Sequence, residues 1–407
     1  MEQARPTTQR AHLLDALRGF ALFGVVYSNF AGLAFWMMLP PEQKAALPGA
    51  FLDEPLEWFR IVFIDGKFYS VFSMLFGIGF GFFLEKGSDG LLRFYRRMFI
   101  LLAVGWVHLR FLWNGDILFL YAVLGMLLPF FRKVGDRALL VITGVLLLSP
   151  IMLDAIRVLT DGSFDPGAYP RELGRSAIEK LGLSREELRA LAINGGLPEF
   201  MEHRRVTWLF RVDNLLSSNR VPKVFGLFLM GLWIGRRKLF RDPAAHRTLL
   251  MRVTVLGTLI GLPGCILTYW SEGNLDELPD AEGLWYTIGY AIGVVPLAMA
   301  YAAGFALLWT KERWRRMLDL LAPMGRMALT NYLMQTVFGI LLFTGLGFGW
   351  GTHVSAVTFE SMAVGVFIVQ MLWSHWWLQR FQYGPMEWLW RSLTYGKVMP
   401  MARDQAG

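Results

Sequence analysis

The chain has 407 residues, of which 55% are hydrophobic and only 18% are charged, and its formal net charge is +8. In soluble proteins about a quarter of the residues are charged and long apolar runs are absent. This composition therefore excludes a soluble enzyme and predicts a polytopic membrane protein. The single cysteine, Cys265, excludes an intrachain disulfide framework and a cysteine-based metal site.

Ten apolar runs of roughly 20 residues predict an all-α protein with about ten transmembrane helices. They lie near residues 14–38, 60–84, 97–113, 117–132, 138–158, 221–236, 250–270, 284–309, 324–346 and 355–378. No small-residue cleavage pattern follows the first run, which therefore predicts a retained helix. Without a linker or a second domain in the pattern, we expect a single integral membrane domain over 1–407.

Lysine and arginine are concentrated in alternate loops between these runs. The basic set comprises Lys86, Arg93, Arg96, Arg97, Arg132, Lys133, Arg137, Arg236, Arg237, Lys238, Arg241, Arg247, Arg252, Lys311, Arg313, Arg315, Arg316, Arg380, Arg391, Lys397 and Arg403. The loops 271–283 and 347–354 have none, and 39–57 has Lys44 against four acids. The positive-inside rule then predicts that the N-terminus and C-terminus are both cytoplasmic. It also explains the net charge without a nucleic-acid partner.

The long connection 160–220 is predicted to be an extracytoplasmic loop with one or two amphipathic helices. Ser184 stands three residues before Glu187, which is the pattern of a helix-capping box. Long loops are exempt from the charge rule, so the arginines here do not contradict the topology. The sequence leaves open whether this segment is a spacer or a lid over a site.

A tight hairpin at the outer face is the first candidate site. The runs 98–113 and 117–131 are joined by Trp113-Asn114-Gly115-Asp116, which is too short to leave the membrane. Because a histidine side chain ordinarily titrates near neutral pH, His108 is a candidate base or transient acyl carrier, with Asp116 orienting its imidazole. The structural alternative is a histidine hydrogen-bonded within the bundle.

Two further polar residues are predicted near the outer end. Asn29, in the first helix, is either an interhelical hydrogen-bonding residue or a catalytic one. Lys67, in the second, either extends to the membrane surface or joins Asp65 or Asp116 in an outer polar site. We count both as candidate catalytic residues.

The cytoplasmic ends of the helices hold candidate anion-binding residues. Arg18 is three residues from Asp15, so it either forms an ion pair or contacts a phosphate. Arg326 and Asn331 either bond neighbouring helices or line a polar groove. Arg391 is either an interfacial anchor or part of a cap over a nucleotide-like ligand.

Several catalytic signatures are absent from the sequence. It contains no Walker A motif, no zinc-binding helix motif and no G-x-S-x-G elbow. This argues against an ATP-driven pump, a zinc protease and an ordinary serine hydrolase, and we expect no metal.

Six segments together resemble the YeiB-like bacterial membrane proteins. They are LDALRGFALFGVVYSN at 14–29, DGKFYSVFSMLFGIGFG at 65–81, RR-x9-VH-x5-NGDILFLYA at 96–122, NR-x4-FGLFLMGLWIGR at 219–236, GRMALTNYLMQ at 325–335 and FQYGPMEWLWRSLTYG at 381–396. This family is known mainly as domains of unknown function. The resemblance covers nearly the whole chain and implies a multi-pass protein of the bacterial inner membrane.

The YeiB-like family in turn resembles the transmembrane acyltransferases, which include heparan-α-glucosaminide N-acetyltransferase and the OafA-like enzymes. These take an acyl group from cytosolic acyl-CoA and deliver it to a sugar across the membrane. Asn29 stands where OafA-like enzymes have a catalytic histidine, and Pro40 stands where the heparan enzyme has one. Both histidines are therefore missing here, and His108 is the natural substitute.

From the residues and this resemblance we expect a membrane acyltransferase. It would move an acyl group, with acetyl expected, from cytoplasmic acyl-CoA to an extracytoplasmic hydroxyl or amine acceptor, of which a glycan is one candidate. Arg18, Arg326, Asn331 and Arg391 would hold the CoA donor. The alternatives are a proton-coupled transporter and a membrane protein without turnover. Membrane lipid is an expected partner, and a homodimer is left open.

Overall fold

The computed structural model describes residues 6–84, 87–271 and 281–403, and these residues form helices joined by short turns. The helices are α1 (Pro6–Leu33), α2 (Pro41–Ala45), α3 (Asp53–Phe59), α4 (Lys67–Leu84), α5 (Gly87–Val107), α6 (Leu118–Gly125), α7 (Asp136–Leu159), α8 (Ala168–Lys180), α9 (Arg185–Asn194), α10 (Leu197–Ser217), α11 (Arg220–Arg236), α12 (Arg247–Trp270), α13 (Ala281–Trp309), α14 (Glu312–Leu318), α15 (Ala322–Arg326), α16 (Ala328–Phe343), α17 (Ala356–Arg380) and α18 (Pro385–Tyr395). Within the described ranges the only strand-like pairing is one bridge, Phe381 with Ala402. The all-α class is confirmed.

Six helical segments are long and apolar enough to cross a membrane. They are His12–Leu33, Ala50–Phe83, Asp136–Leu159, Arg247–Trp270, Glu282–Trp309 and Ala356–Arg380. Each overlaps one of the ten predicted spans. The chain is therefore a membrane protein with six candidate spanning helices among its described residues.

The other four predicted spans correspond to shorter or more polar helices: α5, α6, α11 and α16. The eight residues of α6 rise only about 12 Å, against the roughly 30 Å of a bilayer core. Helix α6 ends at Gly125 because the ring of Pro129, four residues on, would clash with the Gly125 carbonyl. The basic residue Lys86 lies outside the described residues. So does the loop predicted at 271–283, apart from Ser271 and residues 281–283.

Helix α1 lies in the middle of the bundle and packs against α4, α15, α16 and α17. The segments near both termini share one end of the bundle, which we call the termini end: His12 contacts Asp319 at 3.1 Å, and Arg326 donates to the Gln382 carbonyl at 3.3 Å. The basic turns around α14 and α18 therefore lie on the same side as the start of α1.

Helices α8, α9 and α10 cover the opposite end, which we call the cap end. Ser184 and Glu187 form the predicted capping box, with hydrogen bonds of 3.1 and 2.7 Å. Arg189 of α9 donates to the Met38 carbonyl at 2.8 Å, just beyond α1. The sequence predicted one or two helices in this connection, and the structure has three.

Close packing of α4 against α11 depends on glycine, which gives a stability prediction. A Cβ on Gly231 would lie 2.0 Å from the Met74 carbonyl oxygen, where no side chain fits. We expect Gly231→Ala to lower the free energy of unfolding by about 1–3 kcal/mol because the helices must separate. The measurement is the thermal unfolding midpoint of the purified protein in detergent.

Gly144→Ala is the matched control, since a Cβ at Gly144 meets nothing within 4 Å. Alanine is the better helix former, so this variant should keep or slightly raise the midpoint. Equal midpoints for both variants would contradict the packing argument.

Candidate functional site

One large cavity runs through the bundle between its two ends. Its volume is about 850 Å³, and its lining extends from Asp15 and Arg18 at the termini end to Asn219 and Arg220 at the cap end. This volume is within the usual range of sites for small molecules and cofactors. The cavity therefore connects the two ends at which the sequence places candidate residues.

Arginines crowd the termini end of this cavity. The four that line it are Arg18, Arg97, Arg326 and Arg391. The Arg97 guanidinium lies 3.9 Å from the centre of the Trp390 ring, and that of Arg391 lies 4.6 Å from the Tyr383 ring. Arg18 pairs with Asp15, as one of the two sequence readings expected. Three of these arginines were predicted to bind an anion. Arg97 was not, because the sequence analysis counted it only among the basic residues that set the membrane topology.

The other acid at this end, Glu387, is already engaged. Its carboxylate accepts hydrogen bonds from the N–H groups of Leu329 and Thr330 at 2.6 and 3.1 Å and from the Thr330 hydroxyl at 2.6 Å. Burial raises the pKa of Glu387, and these hydrogen bonds oppose the rise. The carboxylate thus caps the first turn of α16 and fixes α18, which carries Arg391, over the cavity.

A carboxylate lines the cavity between its two ends. Asp65 accepts a hydrogen bond from the Ser28 hydroxyl at 2.5 Å and one from Arg60 at 2.9 Å, and all three residues line the cavity. Asn29, next to Ser28 in α1, lines it as well. Gly66, with φ of +84°, makes the turn that starts α4 beside Asp65. The sequence signal for this site was Asp65-Gly66 within an apolar run.

His108 and Asp116 are in contact, as predicted, but neither lines the cavity. His108 is 1% exposed; its Nδ1 lies 2.9 Å from an Asp116 carboxylate oxygen and its Nε2 lies 2.9 Å from the Thr336 hydroxyl. The other Asp116 oxygen accepts from the Phe119 N–H at 2.7 Å, at the start of α6. With both ring nitrogens engaged, His108 has no hydrogen-bonding atom directed at a ligand in the cavity.

Lys67 and Asn331 also lie away from the cavity, which differs from the ligand-facing positions expected for them. The Lys67 ammonium donates to the Ile61 carbonyl, which the π-helical turn Arg60–Ile64 leaves available. Asn331 donates to the Met324 carbonyl at 3.1 Å and to the Ser374 hydroxyl at 3.0 Å. The interhelical alternative fits Asn331. The Lys67 side chain is 1% exposed, so it does not extend to the membrane surface.

The comparisons with known proteins identify the family. The model described as "Protein of unknown function (DUF418)" matches residues 234–397. The chain is 30% identical to "Uncharacterized protein YxaH" of Bacillus subtilis, over 98% of this chain and 97% of the relative. It is 27% identical to "Uncharacterized protein YeiB" of Escherichia coli, over 96% and 98%. A protein encoded in the amylase 3′ region of Bacillus acidopullulyticus is 27% identical, over 97% and 96%.

No solved structure matches the chain. The sequence relatives match it almost from end to end, and the DUF418 match covers the segment from the end of α11 to α18, with Arg326 and Arg391 of the arginine cluster. The chain belongs to the YeiB-like family of membrane proteins with a DUF418 region.

Proposed function

We propose that this protein is a transmembrane acyltransferase that moves an acyl group, with acetyl expected, from acyl-CoA to an extracytoplasmic hydroxyl or amine. The observation that carries the proposal is a cavity that joins an arginine cluster at the termini end to Asp65. The basic turns support a termini end that lies in the cytoplasm of a bacterial inner-membrane protein, and we propose that both chain termini are inside. The cap end then faces outward.

The arginine cluster would bind the donor. Arginine presents a planar array of N–H donors that matches phosphate oxygens, and four arginines face two acids here, of which Glu387 is engaged in capping. Arg18 and Asn29 are eleven residues apart on α1, or about 16 Å along the helix axis. An extended pantetheine arm of coenzyme A bridges that distance, so phosphates held by Arg18 would place the thioester near Asn29.

Asp65 would act as the general base. The acceptor hydroxyl gives its proton to the Asp65 carboxylate as its oxygen attacks the thioester carbonyl carbon. The Asn29 amide donates to the developing oxyanion, an interaction typically worth several kcal/mol. The carbon–sulfur bond then breaks, and the CoA sulfur leaves with the proton from Asp65. Ser28 and Arg60 orient the carboxylate.

The second candidate function is a proton-coupled transporter. The same cavity favours it, because a solute could pass between the two ends while Asp65 carries a proton. Transport would need a pH gradient and no acyl-CoA. Acyl transfer needs the thioester and continues without a gradient.

Calorimetry of acetyl-CoA binding to the purified protein in detergent tests the proposal, with free coenzyme A as a second ligand. We expect saturable binding that weakens about tenfold or more in Arg326→Ala, since a hydrogen bond to a charged group contributes roughly 1.5–3 kcal/mol. No binding at millimolar acetyl-CoA would overturn acyl transfer and favour the transporter.

A further inference from the structure

We infer that the cap end of the cavity is a binding site for a phosphate group. The phosphate site itself does not depend on the proposed function. Only the assignment of the bound phosphate to the acyl-acceptor substrate rests on it. Three cationic side chains carry it: Arg211, Arg220 and Lys223 all line the cavity, and none contacts a carboxylate among the described residues.

Within the part of the chain that the structure describes, each of the three cations contacts neutral groups and forms no ion pair. Lys223 is 8% exposed, and its ammonium lies 4.2 Å from the centre of the Tyr290 ring, with no hydrogen-bond acceptor among the described residues. The Arg220 guanidinium lies 5.0 Å from the Tyr69 ring, and its buried Nε has no hydrogen-bond partner there. Arg211 donates only to neutral groups, including the Asp116 carbonyl at 2.7 Å. Buried charges of one sign are costly unless a counter-ion compensates them.

Asp154, an acid that lines the cavity near Lys223, is hydrogen-bonded to other residues. One oxygen of Asp154 accepts from Arg157 at 2.7 Å and from Asn219 at 2.8 Å. The other accepts from the Thr287 hydroxyl at 2.7 Å. Asp154 therefore joins α7 to α13 and to the start of α11, and its charge is already paired with Arg157.

The start of α11 strengthens the case for an anion. Arg220 and Lys223 lie in the first turn of this helix, which contains no acid, so two cations stand at the positive end of the helix dipole. The preceding residue, Asn219, does not cap the helix, because its side chain is bound to Asp154. An anion at this position would accept hydrogen bonds from uncapped N–H groups and neutralise both side chains.

The chemistry favours a phosphate among anions. Two guanidinium groups, one ammonium and a helix N-terminus suit a group with more than one negative charge and several acceptor oxygens. The linked hydroxyls of Tyr69 and Tyr290, 3.0 Å apart, add polar contacts at the same place. A lipid headgroup and a soluble phosphate ester share this chemistry, and the experiment separates them.

The test measures binding of two probes to the protein in neutral-lipid nanodiscs. Glycerol 1-phosphate is the soluble probe, and phosphatidic acid included in the nanodisc, compared with phosphatidylcholine alone, is the lipid probe. We expect Arg220→Gln and Lys223→Gln each to weaken binding of one of these probes about tenfold. Arg175→Gln is the control, because it removes the same charge from α8 at a side chain that is 51% exposed.

The unfolding midpoints of all variants are measured alongside. Tenfold weaker binding of either glycerol 1-phosphate or phosphatidic acid, at an unchanged midpoint, supports the site. Equal binding by wild type and both variants would overturn it, as would no binding in either arm. Loss of binding in Arg391→Gln instead would also overturn it, because the probe would then occupy the termini end. Acetyl-CoA binding to the wild type, measured separately, shows whether the proposed function fails independently of this site.

Discussion

Asp65→Asn is expected to lower the rate of acetyl transfer by about 10²- to 10⁴-fold, the usual contribution of a general base. The amide keeps the shape of the carboxylate and can still accept from Ser28, but it cannot take the proton of the acceptor. The measurement uses membrane vesicles from expressing cells, which contain the natural acceptors, supplied with radiolabelled acetyl-CoA. The rate is followed as free CoA thiol and as label retained in the membrane.

Glu57→Gln is the matched control for this variant. Glu57 also accepts from Arg60, at 3.2 Å, but it does not line the cavity. It should leave the transfer rate within about twofold, since Arg60 keeps its shorter ion pair with Asp65, at 2.9 Å. Acetyl-CoA affinity should be unchanged in Asp65→Asn, because the donor phosphates bind to the arginine cluster at the termini end. A normal transfer rate in Asp65→Asn would remove Asp65 from the mechanism.

The helices themselves could be predicted from the sequence because long apolar runs report burial in lipid directly. Every predicted span contains a helix, yet a run of apolar residues does not measure helix length. The run 117–132 contains only α6 and a short turn, since Pro129 stops the helix at Gly125. Apolar residues beyond the helix still pack inside the protein. Composition alone therefore cannot distinguish a full spanning helix from a short helix followed by a buried turn.

The site was less predictable because it depends on which face of each helix meets the cavity. His108 and Asp116 were paired correctly, since a short hairpin brings them together whatever the rest of the fold does. Their separation from the cavity depends on how the turn after α5 packs against α16, which local spacing does not determine. Arg97 and Arg220 lie in different helices and Asp65 lies in the turn before α4, so no local pattern indicates that one cavity joins them.

His108→Ala is the variant for which a catalytic role and a structural role predict different results. Removing the imidazole leaves the buried Asp116 carboxylate and the Thr336 hydroxyl each without one partner. We expect the free energy of unfolding to fall by about 2–3 kcal/mol, because unsatisfied buried polar groups are costly. The measurement pairs the thermal unfolding midpoint in detergent with the transfer rate per folded molecule.

A structural role predicts a lower midpoint and a near-normal rate per folded molecule. It also predicts that Asp116→Asn added to His108→Ala costs less than the sum of the two single changes, since they disrupt one hydrogen-bonded pair. The opposite pattern, an unchanged midpoint with no turnover, would make His108 the catalytic base that the sequence predicted. It would require the α5–α6 hairpin to move and turn the imidazole toward the cavity during the reaction. Asp65→Asn would then retain activity, so the two variants together assign the base to one residue or the other.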